Sequence, residues 1–412
     1  MLNATGFSPL SPEFQANPYP YYAMLRMGAP IFYWADWKMW ICTRYDDCTA
    51  LLRDNRLGHE ILRHMTAEEL GWQNTTDVED KQRLRMRMQR RWILFKDQPD
   101  HTRLRTLVHK AFTPRMIEHL RAHIETITDD LIDAMAQKGE FDLIEDFALP
   151  LPVTVIAEML GVPVADQPMF SGWSDHLAGT LDLTDDPRVF DRAADATVEF
   201  HAYFKQLAQK RRQHPQEDLL SALVQAEEDG DKLDEDELIA TCILLLIAGH
   251  ETTVNLIGNG INALLDNPDQ YALLHNIDDT GRDALIKSAT EEFLRYDSPA
   301  QLSRRWVLEE FEYNGVTFKQ GQQVALAFGA ANRDSERFED ADALDIQREN
   351  NKHLAFGAGI HFCLGAPLAR MEGQIAFDRL TRRFASMQRA GEPIRRPAYV
   401  LRGFSSLPVR VG

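Results

Sequence analysis

Cys363 lies in FGAGIHFCLGAPLAR (356–370), where Gly357, Gly359 and Gly365 crowd one thiol and an apolar helix pattern follows. N–H groups at a helix start can point at such a sulfur, and the positive end of the helix dipole favours its thiolate. The glycines let backbone approach a flat, bulky ligand, and Phe356 can shield the sulfur from water. A buried structural cysteine in a flexible loop fits the same letters. In AGHETT (248–253), Thr252 follows Ala248 by four residues, so its hydroxyl can bond back to that carbonyl and open the helix. Gly249 withholds a side chain that would block a flat ligand or dioxygen. Glu251 is a carboxylate in an apolar run, costly unless it works or is paired. His101 and Arg105, at i and i+4 in DHTRLRTLVHKAFTP (100–114), form either a solvated basic face or an anion-binding pair. Glu292 and Arg295 of EFLR, at i and i+3, read as an ion pair.

The elements that must carry these groups are mainly helical. In MIEHLRAHIETITDDLIDAMAQKG the apolar residues Ile117, Leu120, Ile124, Ile127, Leu131 and Met135 recur every three or four, and Gly139 ends the run. Similar patterns predict helices near 99–112, 152–160, 187–213, 283–296 and 366–385. The longest, 235–265, would run about 45 Å and is apolar on nearly all sides, so it must be buried. Strand signals are short: 31–34, 39–43, 306–308, 316–318, 323–327 and the chain end. The expected fold is mainly α with small peripheral β-sheets, in a single domain over 1–412, since no linker or repeat divides the chain.

Composition narrows the function. A formal charge of −18 argues against nucleic acid. The start, MLNATGFSPLSPEF, lacks a signal-peptide pattern, and the apolar run CILLLIAG is too short to span a bilayer. Cys42, Cys48, Cys242 and Cys363 form no CxxC pair or zinc spacing, consistent with reduced thiols in the cytoplasm. Gly258-Asn-Gly260-Ile-Asn-Ala263 matches GxGxxA by letters but has no strand before it, so its glycines read as helix-packing residues. His250-Glu251 lacks the second histidine of HExxH.

FGAGIHFCLGAPLAR fits the pattern FGxGxHxCxGxxLAR at every fixed position and closely resembles the haem-thiolate loop of the cytochrome P450 monooxygenases. The other three motifs follow in that family's order, and the resemblance runs from about residue 14 to the end. It implies the P450 fold, with haem b between the long central helix and the helix after Cys363. Without CxxCH the haem would be non-covalent, with Cys363 as the proximal iron ligand. The resemblance assigns His101, Arg105, Arg305 and His361 to the haem propionates, and Ala248, Gly249, Phe356 and Gly365 to the haem surroundings. It assigns Glu251 and Thr252 to proton delivery. It also pairs Glu292 and Arg295 with Arg337 of SERF as a structural brace, although Ser335 stands where the family has proline.

The implied activity inserts one oxygen atom from O2 into a C–H or C=C bond of a hydrophobic small molecule. By analogy the pocket would include Trp92, Ile93, Leu245, Ala248, Thr252, Leu302 and Phe404. Core packing explains any one of these equally well. Electrons would come from NAD(P)H through a separate ferredoxin docked near Arg103, Lys110 and Arg370, the protein being a monomer with no membrane insertion. The basic segment 77–91, with KQRLRMRMQRR, reads either as a solvated lid helix or as an arginine-assisted site for an anionic substrate. Rival readings are a peroxide-using or isomerase variant, and a haem-thiolate sensor without turnover.

Overall fold

Asp234 opens the central helix, Glu235–Asp266, with a capping box: its carboxylate accepts from Glu237 N at 2.7 Å, and the Glu237 carboxylate accepts from Asp234 N at 3.0 Å. The computed structural model describes residues 8, 9, 11–72, 78–228 and 230–412. The first seven residues of the N-terminal stretch and residue 77 of the basic segment lie outside the described residues.

The predicted helices form close to their expected bounds: Asp100–Ala111, Pro114–Lys138, Pro150–Met159, Pro187–Gln213, Asp279–Tyr296 and Ala366–Arg383. Each start has a local cause where its cap is a side chain. Thr113 accepts from Met116 N before Pro114, and Asp186 accepts from Arg188 N before Pro187. Gly139, at φ +71°, ends the helix that sequence periodicity ended there. Further helices include Tyr45–Leu51, Gln167–Ala178, Pro268–Asn276 and the basic helix Asp80–Gln89. The basic helix escapes an amphipathic search because only Met88 of its ten residues is buried.

Strands Ile31–Trp34 and Met39–Cys42 form a hairpin, and Gln323–Leu326 pairs parallel to the second of them. Ser303–Val307 and the two-residue strand Leu57–Gly58 complete this five-stranded sheet. The chain end, Pro408–Val411, lies between Met387–Arg389 and Glu140–Asp142 in a second sheet. The main apolar core gathers around the central helix, and two smaller clusters pack on the larger sheet.

The central helix is the one described helix long and apolar enough to cross a membrane, and it is largely enclosed by the rest of the protein. Its GxGxxA letters are packing glycines: a Cβ on Gly258 would come 2.8 Å from Ile144 Cδ1, and one on Gly260 2.5 Å from Phe377 Cζ. Gly249 has the same role, which corrects the expectation that it clears space for a ligand. A Cβ there would meet Ile156 Cγ1 at 2.9 Å, on the neighbouring helix Pro150–Met159.

Candidate active site

Between Leu238 and Ile261, every residue of the central helix is buried except Leu245, Ala248, Gly249 and Thr252. These four stand at i, i+3, i+4 and i+7, so they form one open stripe on a helix packed everywhere else. As the spacing predicts, Thr252 Oγ1 donates to Ala248 O at 3.1 Å. The helix nevertheless runs unbroken through this point, so the bond does not open it.

The cysteine loop has its own geometry. Gly357 and Gly359 take φ +68° and +71°, a region that side chains rarely tolerate. A Cβ on Gly359 would also sit 2.9 Å from Leu52 O. Gly365 has ordinary dihedrals, and it serves the sulfur instead: its N–H and that of Ala366 bond to Cys363. Burial nevertheless pushes the Cys363 thiol above its ordinary value, outweighing those N–H groups and the charges of Arg105 and Arg370. The protein alone therefore favours thiol, against the expectation from the helix start, and a stable thiolate needs a further positive charge such as a metal. Phe356 accepts from Cys363 N at 3.0 Å through its carbonyl, while its ring lies under Arg370 at 4.5 Å.

A second feature is a cluster of buried donors beside this loop. The His101 and His361 rings are 4.4 Å apart, and those of His59 and His361 are 4.9 Å apart. Both ring nitrogens of His101, and Nε2 of His59, are buried with no hydrogen-bond partner. Arg305 bonds through Nη1 to Ser303 Oγ and Arg304 O, and it makes no ion pair among the described residues. Burial, together with the charges of Arg105 and Arg305, lowers His101 to about 4. Burial also lowers Arg305 to about 10, with Asp97 opposing. Asp97 is the organiser: its carboxylate accepts from His59 N at 2.9 Å and Glu60 N at 2.7 Å, and its carbonyl accepts from His101 N at 2.8 Å.

Such a concentration of buried donors without an anion is costly on its own. Two haem propionates would satisfy it. The orphaned imidazole nitrogens, the sulfur with two N–H groups and the open helix stripe therefore fit haem. His59 was not found from sequence, because a lone histidine carries no spacing signal. Arg105 departs from expectation: its Nη1 and Nη2 donate to Ile360 O and Phe362 O at 3.0 and 2.7 Å, bracing the cysteine loop.

Glu251 is not on the open stripe. It is buried, with Oε2 accepting from Arg396 Nη1 at 2.5 Å and Oε1 3.5 Å from His250 Nε2. Burial disfavours its charge, but His250 and Arg396 prevail and hold the carboxyl well below the ordinary value. Arg396 also lies 3.5 Å from the half-exposed Asp175, which burial and Glu251 push up to about 6. On the helix after the cysteine, Glu372 is buried with Oε2 3.5 Å from Thr253 Oγ1, and burial raises it to about 8. Neither Arg396 nor Glu372 has a local sequence signal.

Several assignments move. Glu292 and Arg295 do form a buried brace, but its third member is Arg348, at 3.1 Å, not Arg337. Arg337 is exposed and lies over the Tyr45 ring at 5.0 Å. Of the pocket candidates, Leu245, Ala248 and Thr252 are open and Ile93 is half-buried. Trp92 is core, stacked on Phe95 at 5.9 Å. Leu302 packs in the cluster with Tyr399 and Val400. Phe404 is wedged between Gly258 and the Arg395 guanidinium, 3.7 Å from its ring. Of the docking candidates, Arg370 is tied to Glu291 at 2.6 and 2.9 Å, and Arg103 to Asp231 and Glu237. Lys110 is exposed.

Comparison with known proteins agrees with this geometry. The cytochrome P450 family model matches residues 57–402. The chain is 41% identical to the polyketide biosynthesis cytochrome P450 PksS of Bacillus subtilis, over 98% of each chain. It superposes with a TM-score of 0.88 and 40% identity on P450BioI in complex with hexadec-9Z-enoic acid ligated acyl carrier protein, covering 97% and 99% of the two chains. A myxobacterial P450 in complex with myristic acid gives a TM-score of 0.87 at 40% identity, over 98% of each chain. The chain belongs to the cytochrome P450 family of haem enzymes.

Proposed function

We propose that this protein holds non-covalent haem b through Cys363 Sγ and catalyses hydroxylation or epoxidation of a hydrophobic small molecule, using O2 and electrons from NAD(P)H delivered by a separate ferredoxin. The observation that carries this is the set of buried, unpartnered donors beside the cysteine loop. They ask for two anionic groups next to a sulfur that itself asks for a cation. Bound haem would supply the activation of dioxygen and the transfer of one oxygen atom. His101, Arg305, His361 and the unanticipated His59 would hold the propionates, while Ala248 offers a low surface on the other side.

The protein's own residues do the rest. Leu245, Ala248 and Thr252 present an apolar stripe with one hydroxyl to the substrate. Thr252 Oγ1, fixed by its bond to Ala248 O, passes a proton into the pocket. Glu251 is the ionised group behind it, and Arg396 with half-exposed Asp175 links that carboxylate to solvent. A long acyl chain is the substrate class to test first, since one solved relative is a complex with hexadec-9Z-enoic acid ligated acyl carrier protein and another a complex with myristic acid. The chain acts as one cytoplasmic, monomeric catalytic unit.

The test is the carbon monoxide difference spectrum of reduced protein after haem supplementation. Wild type should show the red-shifted thiolate band, and Cys363→Ala or Cys363→His should lose it. An unchanged band in either variant would place the iron ligand elsewhere.

A further inference from the structure

A cavity of about 550 Å³ opens between the basic helix, the turn after it and the helix Asp100–Ala111. Six cations line it, Arg83, Arg87, Arg90, Arg91, Lys96 and Arg103, against two carboxylates, Asp100 and Glu237. Arg83, Arg87 and Arg90 follow one another at i, i+4 and i+7, so one helix row is all guanidinium. Like charges at such spacings repel, and the helix is held to the core by buried Met88 and partly buried Leu84.

Some of the cations are fixed from behind. Arg91 is 2.8 Å from Asp234 and 3.6 Å from Asp236, Lys96 Nζ is 2.9 Å from Glu60, and Arg103 bonds both Asp231 and Glu237. These pairs hold the wall in place, and one carboxylate uses at most two of a guanidinium's five N–H donors. The outer cations are less engaged: Arg87 reaches Asp236 only at 3.4 Å, and Arg90 is exposed. Met86 and Leu104 add apolar wall, and the volume lies in the range of small-molecule sites.

We propose that this cavity is a binding site for a phosphate-bearing small molecule. Guanidinium forks match phosphate oxygens in shape and charge, and several forks converging on one space favour a polyanion over a single carboxylate. The residues lining this cavity include none of those that would hold haem. The helix Asp100–Ala111 turns Arg103 and Leu104 to the cavity, while Arg105 turns to the cysteine loop.

The test is calorimetric titration of the haem-loaded protein with inorganic pyrophosphate at physiological salt, beside sodium chloride matched in ionic strength. Wild type should bind pyrophosphate saturably, and Arg87→Gln/Arg90→Gln should weaken it at least about tenfold, or about 1.4 kcal/mol. The variant should keep its carbon monoxide band, so loss of this site and failure of the haem reading are separate results. No saturable binding, equal binding by the variant, or a response that matched chloride reproduces would each overturn the proposal. So would a variant slowed only in receiving electrons from an acidic ferredoxin while wild type ignores pyrophosphate, because the surface would then be a protein dock.

Discussion

Two buried charge clusters flank the cysteine loop, and they are built on opposite terms. In the brace, Arg295 uses all five N–H donors: on both Glu292 oxygens and on the carbonyls of Asn332, Ala341 and Ala343, at 2.7–2.9 Å. Glu292 takes further bonds from Arg348, Asn351 and Asp345 N. In the cluster of His59, His101, His361 and Arg305, both ring nitrogens of His101 and Nε2 of His59 have no partner, while the Asp97 carboxylate beside them is taken up by backbone N–H groups. Unequal satisfaction separates a structural network from a binding site. The first is complete in the polypeptide, whereas the second is completed by a ligand.

Breaking the brace should have the largest effect. Arg295→Ala strands the Glu292 charge in the interior at a cost of about 3–5 kcal/mol, and urea unfolding should show a much lower midpoint or little soluble protein. Removing the outer arginine sharpens the assignment. Arg348→Ala should cost about 1–3 kcal/mol, while Arg337→Ala, which loses ring contacts with Tyr45 and Phe338, should cost under about 1 kcal/mol. If the two lose equal stability, the choice of Arg348 is wrong.

The other cluster should respond in the opposite sense. His101→Phe removes an imidazole whose two ring nitrogens, one donor and one acceptor in the neutral form, are both unpartnered, so the haem-free protein should be no less stable in urea. Haem release to a scavenger protein should nonetheless quicken about tenfold, the equivalent of one lost charge-assisted hydrogen bond. Slower unfolding of the haem-free protein together with unchanged haem release would separate His101 from the cofactor.

The last effect emerges only as pH rises and concerns Glu372, a buried carboxyl with one neutral neighbour. Its folded value of about 8 lies above the ordinary 4.5, so the folded state retains a proton that the unfolded state releases. Stability from this group is full below about pH 4.5 and declines as pH rises toward 8. Glu372→Gln should flatten that decline, leaving the variant the more stable protein at pH 9 in thermal melts. Parallel curves for both proteins would mean that Glu372 is already ionised.

Much of the fold was legible because its causes are local. The capping box at Asp234, the glycine stop at Gly139 and the periodicity of 187–213 each act within a turn or two of chain. The Thr252–Ala248 bond was readable for the same reason. The helix Asp80–Gln89 was harder, since a segment with no apolar face gives periodicity nothing to report.

The site divides along the same line. By itself the sequence determined the cysteine loop and the bounds of the central helix, because their signals are local; Leu245, Ala248 and Thr252 were named by family analogy, and the packing around the helix is what leaves them on one open face. Only the tertiary structure decided that His59 joins His361, that Arg348 displaces Arg337, that Arg396 takes Glu251, and that Gly249 admits Ile156. Those contacts join segments far apart in the chain. Their partners are chosen by which side chains the packed elements bring within about 3 Å, a distance that one-dimensional spacing does not encode.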